Sequence, residues 1–532
     1  MATARQIRSP ALARSNHIPR EAFLIIATAG LAALLEMVDT SIVNVAVPTM
    51  MGNLGATLDE ISWVVTGYII ANAIILPLAG WLAVRIGRRR YYVGCILIFT
   101  GASVACGFAP NLIVLVLCRI VQGLAGGALL PTSQGLMQEA LPREQAGMAS
   151  ALYGMVIIVG PTIGPPLGGY LTDHFGWRSI FNINLPLGIL AAMMALTFVE
   201  DHALEEGGHH DRMRTAPVDV LGLLLLVAGI GCMQFVLERG EADDWFTSTA
   251  ILVNSGVSIA SIISFILWEL HTEHPIMDLR LFKVPNLAFG TLVMGCIGAM
   301  LYALIFFVPV FCSAIVGLTA TQTGIIFIPG ALASGLMMPL VGSQLRRRDP
   351  RLLVLFGIVM VDIGIYLLAH SSPMTGTRAL FWPLFIRGFG MAFLFVPVNA
   401  VVLGSFSGPA MGQVAGITNL ARQLGGSLAI AILSTLFTQS RQRAFADLSG
   451  HVSRLNPALV YGNMASGHFA SSLGLGTPAS LGAKTAFFRV FRQAFVMGFN
   501  HMMWLMVVIF GAALIPLYFM TAPKHLGPRD AH

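Results

Sequence analysis

Long apolar stretches without Lys, Arg, Asp or Glu dominate the chain. Each is as long as one membrane-crossing helix requires, about 20 residues, and the longest would hold two such helices. They run Ile61–Val84, Tyr91–Cys118, Gln145–Thr172, Ser179–Val199, Trp245–Trp268, Val284–Leu345, Gly388–Ala421 and Gln493–Pro523. The pattern predicts an all-α polytopic membrane protein with fourteen spans, at 22–48, 61–83, 91–110, 112–133, 146–172, 179–200, 218–238, 249–270, 286–314, 321–343, 352–370, 380–404, 412–440 and 495–521.

Composition and charge agree with this topology. The 532 residues are 56% hydrophobic and 11% charged, whereas an average soluble domain is about 25% charged. Most Lys and Arg fall in the segments that would be cytoplasmic if the N-terminus is cytoplasmic, as the positive-inside rule requires. The net charge of +6 therefore follows from topology, and nucleic-acid binding is not inferred.

Short repeated motifs indicate two related halves. The run from Pro77 to Gly80 recurs near the end of span 10, from Pro339 to Gly342. Arg119 in span 4 is echoed by Arg387 in span 12, and span 5 resembles span 13, at nearly the same spacing. The predicted segments are a cytoplasmic segment 1–21, a six-helix half 22–200, two inserted helices within 201–285, a second six-helix half 286–521 with an extracytoplasmic loop 442–494, and a cytoplasmic tail 522–532.

Two carboxylates lie within the first span. Glu36 and Asp39 are three residues apart, so they share one helix face. A carboxylate at bilayer depth costs roughly 2.5–3.5 kcal/mol on insertion scales, and such a group is a functional-site hypothesis. We expect Asp39, with Glu36 as a second carboxyl, to bind protons. Arg119 is too deep in span 4 to reach the interface easily, and its expected partners are Asp39, Glu36 or backbone carbonyls.

Two glycine-containing segments are candidates for conformational change. Gly80, Arg85, Gly87 and Arg88 form a tight turn after span 2. The arginines alone would fit a positive-inside anchor, but the glycines favour a short loop pressed between helix ends, where arginines meet helix C-termini or acidic partners. Span 5 has a glycine ridge in which prolines predict a kink, although close packing alone remains an alternative. The ridge residues are Gly160, Pro161, Gly164, Pro165, Gly168 and Gly169.

Polar residues inside other spans are candidates for a substrate cavity or for pairing. The cavity candidates are Asn44, Asn72, Gln122, Asn184, Asn399, Asn419 and Gln423. Asn182 and Asn184 point about 200° apart on a helix, so at most one faces a cavity, and we favour Asn184. Arg387 and Arg422 occupy repeat-related places and are expected to act in conformational change or pairing. Asp362 either pairs with Arg387 or lies near an interface.

Enzymatic and metal-binding chemistry finds no support in the sequence. The six cysteines lie in apolar stretches without CxxC spacing, so neither a disulfide framework nor a zinc site is predicted. No Gly-x-Ser-x-Gly or phosphate-binding motif is present. We expect no metal, no cofactor and no catalytic activity. The first apolar run is too long for the core of a cleavable signal peptide.

Several motifs together resemble one transporter family. They are Leu35–Pro48 with Asp39 at the acidic position, the turn Gly80–Arg90, Arg119–Gly123, the ridge Gly160–Gly169, Trp177–Pro186, and the segments Leu237–Trp245 and His274–Phe282. The chain resembles the major facilitator superfamily, and within it the fourteen-span drug:proton antiporters of the EmrB/QacA type. Two departures are that Val84 replaces a common Asp of the turn motif, and that Glu36 is not part of the usual span-1 motif.

The resemblance implies proton-coupled export of small amphipathic toxic compounds by alternating access. It also implies the inner membrane of a bacterium, cytoplasmic termini, and partnership with a periplasmic adaptor and an outer-membrane channel. Segment 442–494 is the expected docking surface. A proton-coupled nutrient or metabolite symporter of the same fold remains an alternative, and a passive facilitator or channel is a further one.

Overall fold

The computed structural model describes residues 19–142, 145–200, 218–273, 275–345, 347–406, 408–451 and 478–520. Among these residues, fourteen helices are long and apolar enough to cross a membrane, which confirms the predicted number. The predicted N-terminal segment and C-terminal tail lie almost wholly outside the described residues, as does the middle of the predicted loop 442–494.

The fourteen helices follow the predicted spans in order. Their bounds are α1 Arg20–Leu54, α2 Leu58–Ile75, α3 Arg88–Gly107, α4 Leu112–Ala140, α5 Ala146–Phe175, α6 Ser179–Phe198, α7 Val220–Arg239, α8 Thr249–His271, α9 Pro285–Phe311, α10 Ala320–Gln344, α11 Pro350–Leu368, α12 Thr377–Gly404, α13 Pro409–His451 and α14 Pro478–Gly511. A π-helical turn, Cys312–Val316, extends α9, and a short helix, Leu514–Phe519, follows α14.

Local sequence explains where α1 and α2 meet. Gly55 has φ +62° and ends α1, because a left-handed residue after a helix favours glycine. Thr57 then caps α2: its hydroxyl accepts from the Glu60 backbone N–H, and the Glu60 carboxylate accepts from the Thr57 N–H. This capping box starts α2 three residues before the predicted position.

The second predicted span is not one continuous helix. α2 ends at Ile75, residues 76–78 form a turn, and a separate short helix covers Ala79–Ile86. Pro77 lies in the turn, and a proline cannot donate the backbone hydrogen bond that would continue the helix. The span predicted over 61–83 therefore consists of two helices joined by a turn.

The last two spans are longer than predicted. α13 is a helix of 43 residues that continues to His451, and α14 begins at Pro478. Both helices therefore enter the segment 442–494 that was predicted as a loop. At 1.5 Å per residue α13 is about 64 Å long, roughly twice the thickness of a bilayer's hydrocarbon core.

Helices α1–α6 pack mainly among themselves, as do α9–α14, and α5 and α10 contact each other along their length. We call the end of the bundle that holds Arg85 and Arg88–Arg90 the arginine end, and the other end the opposite end. The inserted helices α7 and α8 pair with each other, and α7 also packs against α2 and α13.

The repeated motifs are the places where the two halves touch at the arginine end. A Cβ atom on Gly80 would lie 2.6 Å from the backbone of Gly412 and Gln413 in α13. A Cβ atom on Gly342 of α10 would lie 2.6 Å from the carbonyl oxygen of Gly147 in α5. Since the run Pro77–Gly80 resembles Pro339–Gly342 of α10, and α5 resembles α13 in sequence, these are two copies of one contact. Backbone approaches this close require glycine.

Candidate functional site

A fully buried ion pair occupies the centre of the N-terminal half. Arg119 Nη1 of α4 donates to Asp39 Oδ2 of α1 at 2.6 Å, and neither side chain is exposed by more than 1%. Asp39 Oδ1 accepts two further hydrogen bonds, from Gln122 Nε2 at 2.9 Å and from Asn184 Nδ2 at 2.7 Å. The four side chains form one cluster, the Asp39 cluster, in which every donor to the carboxylate comes from the N-terminal half.

The guanidinium of Arg119 has further partners outside the carboxylate. Its Nε donates to the carbonyl oxygen of Val64 at 3.2 Å, and its centre lies 4.1 Å from the Tyr68 ring centroid. Sequence reasoning named Asp39, Glu36 or backbone carbonyls as partners; the structure confirms Asp39 and a carbonyl, and Glu36 is not one of them. Gly123 lets α4 approach α2 this closely, because a Cβ there would lie 2.5 Å from the Tyr68 carbonyl oxygen.

Glu36 points to a different partner from Asp39. Its carboxyl is 1% exposed, and Oε1 accepts from Asn72 Nδ2 of α2 at 2.8 Å. Its Oε2 has no hydrogen-bond partner among the described residues. The two carboxyls therefore occupy separate environments, with Glu36 one helical turn nearer the arginine end.

Several of the predicted cavity residues instead form a polar contact between the halves. Gln134 Nε2 of α4 donates to Asn399 Oδ1 of α12 at 2.7 Å, and Asn419 Nδ2 of α13 donates to Gln134 Oε1 at 2.6 Å. Asn419 Oδ1 accepts from Tyr153 OH of α5 and from Arg422 Nη2, both at 2.8 Å. We call these five side chains the inter-half network.

The seven cavity candidates thus have four kinds of location. Gln122 and Asn184 belong to the Asp39 cluster, and Asn72 binds Glu36. Three make contacts between the halves: Asn399 and Asn419 in the inter-half network, and Gln423, whose Nε2 donates to the Ile69 carbonyl at 3.2 Å. Asn44 is exposed, and so is Asn182, whereas the favoured Asn184 is buried. Their part in substrate binding stays a prediction.

Sequence reasoning missed Gln134 and Tyr153. Both are buried, at 1% exposure, and both bridge the halves. The available signal was an amide and a phenol inside otherwise apolar spans, because buried polar groups need hydrogen-bond partners. Their spacing gave no indication that the partner lies more than 260 residues away in the chain.

The arginine turn makes the contacts expected of it. Arg88 forms an ion pair with Glu139 near the end of α4, and Arg89 donates to the Leu196 carbonyl in the last turn of α6. These are the predicted acidic partner and helix C-terminus. Gly87 has φ +98°, a left-handed value that favours glycine. The Arg85 guanidinium centre lies 5.4 Å from the Trp81 ring centroid.

The glycine ridge of α5 packs onto α1. A Cβ on Gly160 would collide with Met37, one on Gly164 with Ser41, and one on Gly168 with Ile42. The other side of α5 meets the second half, where Gly169 faces Thr321, and where Pro166 lies against Gly324. Because α5 remains one helix despite its three prolines, it joins the helix of Asp39 to α10 of the other half.

Two charged residues of the C-terminal half have no ion-pair partner among the described residues. Arg387 is 5% exposed, its Nε and Nη1 are without hydrogen-bond partners, and its guanidinium centre lies 5.9 Å from the Phe327 ring centroid. Asp362 does not pair with it; its Oδ2 faces Gly511 of α14, and its Oδ1 lacks a partner. Of the two expectations for Asp362, pairing with Arg387 was wrong.

The inserted helices bind both halves at the opposite end. Arg239 of α7 donates to Asp59 of α2 at 2.5 Å and to Asp243 at 2.9 Å. Gln234 Nε2 of α7 donates to Ser427 Oγ of α13 at 2.6 Å, and Trp245 Nε1 donates to Thr435 Oγ1 of α13 at 2.8 Å.

Known proteins are similar to this chain in sequence and in fold. The sequence model of the Major Facilitator Superfamily matches residues 29–430. Multidrug export protein EmrB of Escherichia coli (strain K12) is 33% identical over 498 residues, which cover 93% of this chain and 95% of EmrB. Fatty acid resistance protein FarB of Neisseria gonorrhoeae is 32% identical over 495 residues, which cover 93% and 95%.

Solved structures agree on the architecture. The proton:xylose symporter XylE superimposes with a TM-score of 0.62 at 14% identity, covering 96% of this chain and 98% of XylE. The human organic anion transporter MFSD10 superimposes with a TM-score of 0.56 at 12% identity, covering 92% and 100%. These likenesses establish the fold, and the EmrB relatives establish the subfamily. The chain therefore belongs to the Major Facilitator Superfamily, as an EmrB-like multidrug efflux transporter.

Proposed function

We propose that this transporter exports small amphipathic toxic compounds in exchange for protons, and that Asp39 is the carboxylate that binds the proton. The observation that supports this is the fully buried Asp39–Arg119 pair, held by three hydrogen bonds to one carboxylate. Burial of ions is costly, and removing one partner's charge leaves the other uncompensated. Protonation of Asp39 would therefore remove one charge of the pair and leave Arg119 buried without compensation. Packing alone would not require an ion pair at this place.

The structure offers a mechanical connection from this pair to the second half. Asp39 lies on α1 between Met37 and Ser41, which pack onto the glycine ridge of α5. The other side of α5 contacts α10. We infer that protonation of Asp39 changes the packing of α1 against α5, and that α5 transmits the change to α10. Proton and exported compound would then favour different arrangements of the two halves.

The arrangement in the structure corresponds, in this proposal, to the state closed towards the cytoplasm. The Gly80 and Gly342 contacts join the halves at the arginine end, and the inter-half network lies just beneath them. The positive-inside rule supports a cytoplasmic location for that end, and we propose that both termini are cytoplasmic. A compound bound between the halves would leave at the opposite end.

We further propose the inner membrane of a bacterium as the location, with a periplasmic adaptor and an outer-membrane channel as partners. The long α13 supports this, since about 30 Å of its length exceeds what the hydrocarbon core requires. The segment 442–494 begins on this extension and is the proposed docking surface. Cross-linking from a photoreactive group at Arg443, which lies on α13, to a co-purified adaptor would test it; an adaptor that cross-links equally well from Arg90 would refute it.

The test of proton coupling is Asp39→Asn in proteoliposomes with an imposed proton gradient. Efflux of a fluorescent cation such as ethidium should lose its dependence on the gradient, because Asn cannot bind and release a proton. Asp173→Asn is the matched control, since Asp173 is exposed at the end of α5. An Asp39→Asn protein that still concentrates the dye against its gradient would refute the assignment. Dye accumulation in the same direction as the protons would favour the symporter alternative, and gradient-independent flux the passive one.

A further inference from the structure

Two buried, oppositely charged side chains in different halves each leave one polar atom without a partner. Glu36 of α1 is 1% exposed, and its Oε2 accepts no hydrogen bond among the described residues. Arg422 of α13 is 3% exposed, and its Nη1 donates none among them. An unpaired buried charge is costly. Glu36 Oε2 therefore needs a hydrogen-bond donor or a cation, and Arg422 Nη1 needs an acceptor or an anion.

Packing between α13 and the N-terminal half places the two side chains in the same region. Along α13, a Cβ on Gly416 would lie 2.5 Å from the Leu76 carbonyl oxygen, and Gln423 Nε2 bonds the Ile69 carbonyl at 3.2 Å. Ile69 is on α2, and Leu76 directly follows that helix. Asn72, which binds Glu36, lies between them in the chain.

Arg422 lies on the same stretch of α13, between Gly416 and Gln423. It is anchored by its Nη2, which donates to Asn419, and Asn419 in turn bonds Gln134 of α4. The charge of Arg422 also acts electrostatically on the Glu36 carboxyl. Packing and charge therefore bring Arg422 and Glu36 into the same region, on the two sides of the boundary between the halves.

We propose that Glu36 is a second proton-binding site, separate from Asp39, and that its ionised form attracts Arg422 and stabilises closure of the arginine end. The inference rests on the proposed proton coupling. The donors to Asp39 all come from its own half, whereas the cation in the region of Glu36, Arg422, belongs to the other half. A proton that binds the Glu36 carboxylate forms the neutral acid and removes the attraction between the halves, and its release restores the attraction.

This order of proton binding and release matches the exchange of a proton for a drug. Protons that enter from the opposite end neutralise Glu36 and allow the arginine end to open. Release of the proton to the cytoplasm, followed by binding of a compound, leaves Glu36 ionised, and the arginine end closes again. Asp39 and Glu36 together would then bind two protons in each cycle.

None of the other ionisable groups near Glu36 offers a second change of charge between the halves that could control closure of the arginine end. They come from α1, α2, α3, α5 and α13 and are Asp39, Tyr68, Tyr92, Tyr153 and Arg422. Tyrosine and arginine ordinarily keep their protons well above neutral pH. The acids among these groups that are ionised at neutral pH by their ordinary chemistry are therefore the two carboxyls, and Glu36 is the one that has an unpaired oxygen and lies in the same region as a cation of the other half.

Spin labels on a cysteine-free protein in nanodiscs measure closure directly. Cysteines replace Arg90 and Arg348, which are exposed on the two halves at the arginine end, and electron–electron double resonance gives the distance between them. The unaltered protein should shift towards longer distances as pH falls. Glu36→Gln should raise the ratio of open to closed molecules at pH 8 at least fivefold. Glu21→Gln, at an exposed position on the same helix, is the control and should change nothing.

A double-mutant comparison tests the pairing itself. Arg422→Gln should open the arginine end to the same degree as Glu36→Gln, and the double variant should be no more open than either single variant, because both remove one interaction. Independent roles would make the double variant about 25-fold more open, which would overturn the proposal. Since the two single variants report on the same pair, failure of one to fold leaves the other as the test.

Measurement on Asp39→Asn separates this inference from the proposed function. If Asp39→Asn abolishes proton-driven efflux but keeps part of the pH-dependent opening, and Glu36→Gln removes that part, both stand. If Glu36→Gln opens and closes with pH as the unaltered protein does, the second site is refuted while coupling through Asp39 stands. If Asp39→Asn still pumps, the proposed function fails at Asp39, whereas the double-mutant result continues to decide the Glu36 pair.

Discussion

The contact at Gly80 allows a quantitative test of closure at the arginine end. In Gly80→Ala, the new Cβ would lie 2.6 Å from the backbone nitrogen of Gln413 and the backbone carbon of Gly412, whereas ordinary contacts begin near 3.4 Å. Backbone atoms cannot rotate away as a side chain would, so the short helix Ala79–Ile86 and α13 must separate. The substitution penalises only the closed arrangement.

Overpacking of this kind costs about 1–3 kcal/mol. If the open arrangement does not suffer the collision, the ratio of open to closed molecules rises about 5- to 150-fold. The distance between spin labels at positions 90 and 348 should then lengthen at pH 8 without a change in pH. Gly147→Ala, at the repeat-related contact with Gly342, should act in the same direction.

Gly94→Ala is the matched control, because a Cβ there meets nothing within 4 Å. It keeps the same chemical change, within a helix of the same half, without a collision. An unchanged distance distribution in a folded Gly80→Ala protein would show that the halves do not have to part at this contact, and the interpretation of the repeated glycine motifs as closing contacts would fail.

Two further predictions concern the energies of charged side chains. Arg387→Met should raise the thermal unfolding midpoint by several degrees, because replacing a buried charge by an apolar group is often neutral or stabilising by 1–4 kcal/mol; a lowered midpoint would reveal a partner that compensates Arg387. Arg88→Gln should leave the midpoint nearly unchanged, since its pair with Glu139 is partly exposed and such pairs contribute about 0–1 kcal/mol; a loss above 2 kcal/mol in chemical unfolding would contradict this.

Sequence reasoning included Asp39 among three expected partners of Arg119, with Glu36 and backbone carbonyls, because the constraint is strong. A cation deep in one span and a carboxylate deep in another each need compensation, and few candidates exist. It also predicted close packing along the α5 ridge, since glycines four residues apart lie on one helix face. In both cases the residue type and the depth of the residue in the span largely determine which contact it makes.

The inter-half network was not predictable in the same way. Amides such as Gln134 and Asn399 bond equally well to many groups, so their presence in a span gives no indication of the partner. Prolines illustrate the same limit. Pro77 interrupts a span, whereas Pro48 and Pro131 lie inside continuous helices. Whether a proline interrupts a helix depends on how the neighbouring helices pack against that segment.

The two halves share an arrangement of helices but differ in charge, and that difference assigns them separate tasks. Arg119 and Arg387 occupy repeat-related places, yet Arg119 has a carboxylate partner and Arg387 has none among the described residues. Both buried carboxylates of the first span, Asp39 and Glu36, belong to the N-terminal half. In the proposed mechanism these two carboxylates bind and release protons, and a proton bound at Glu36 weakens the attraction of that half for the fixed cation Arg422. On this proposal, an asymmetric charge placed in a symmetric helical frame would convert proton binding into relative movement of the halves.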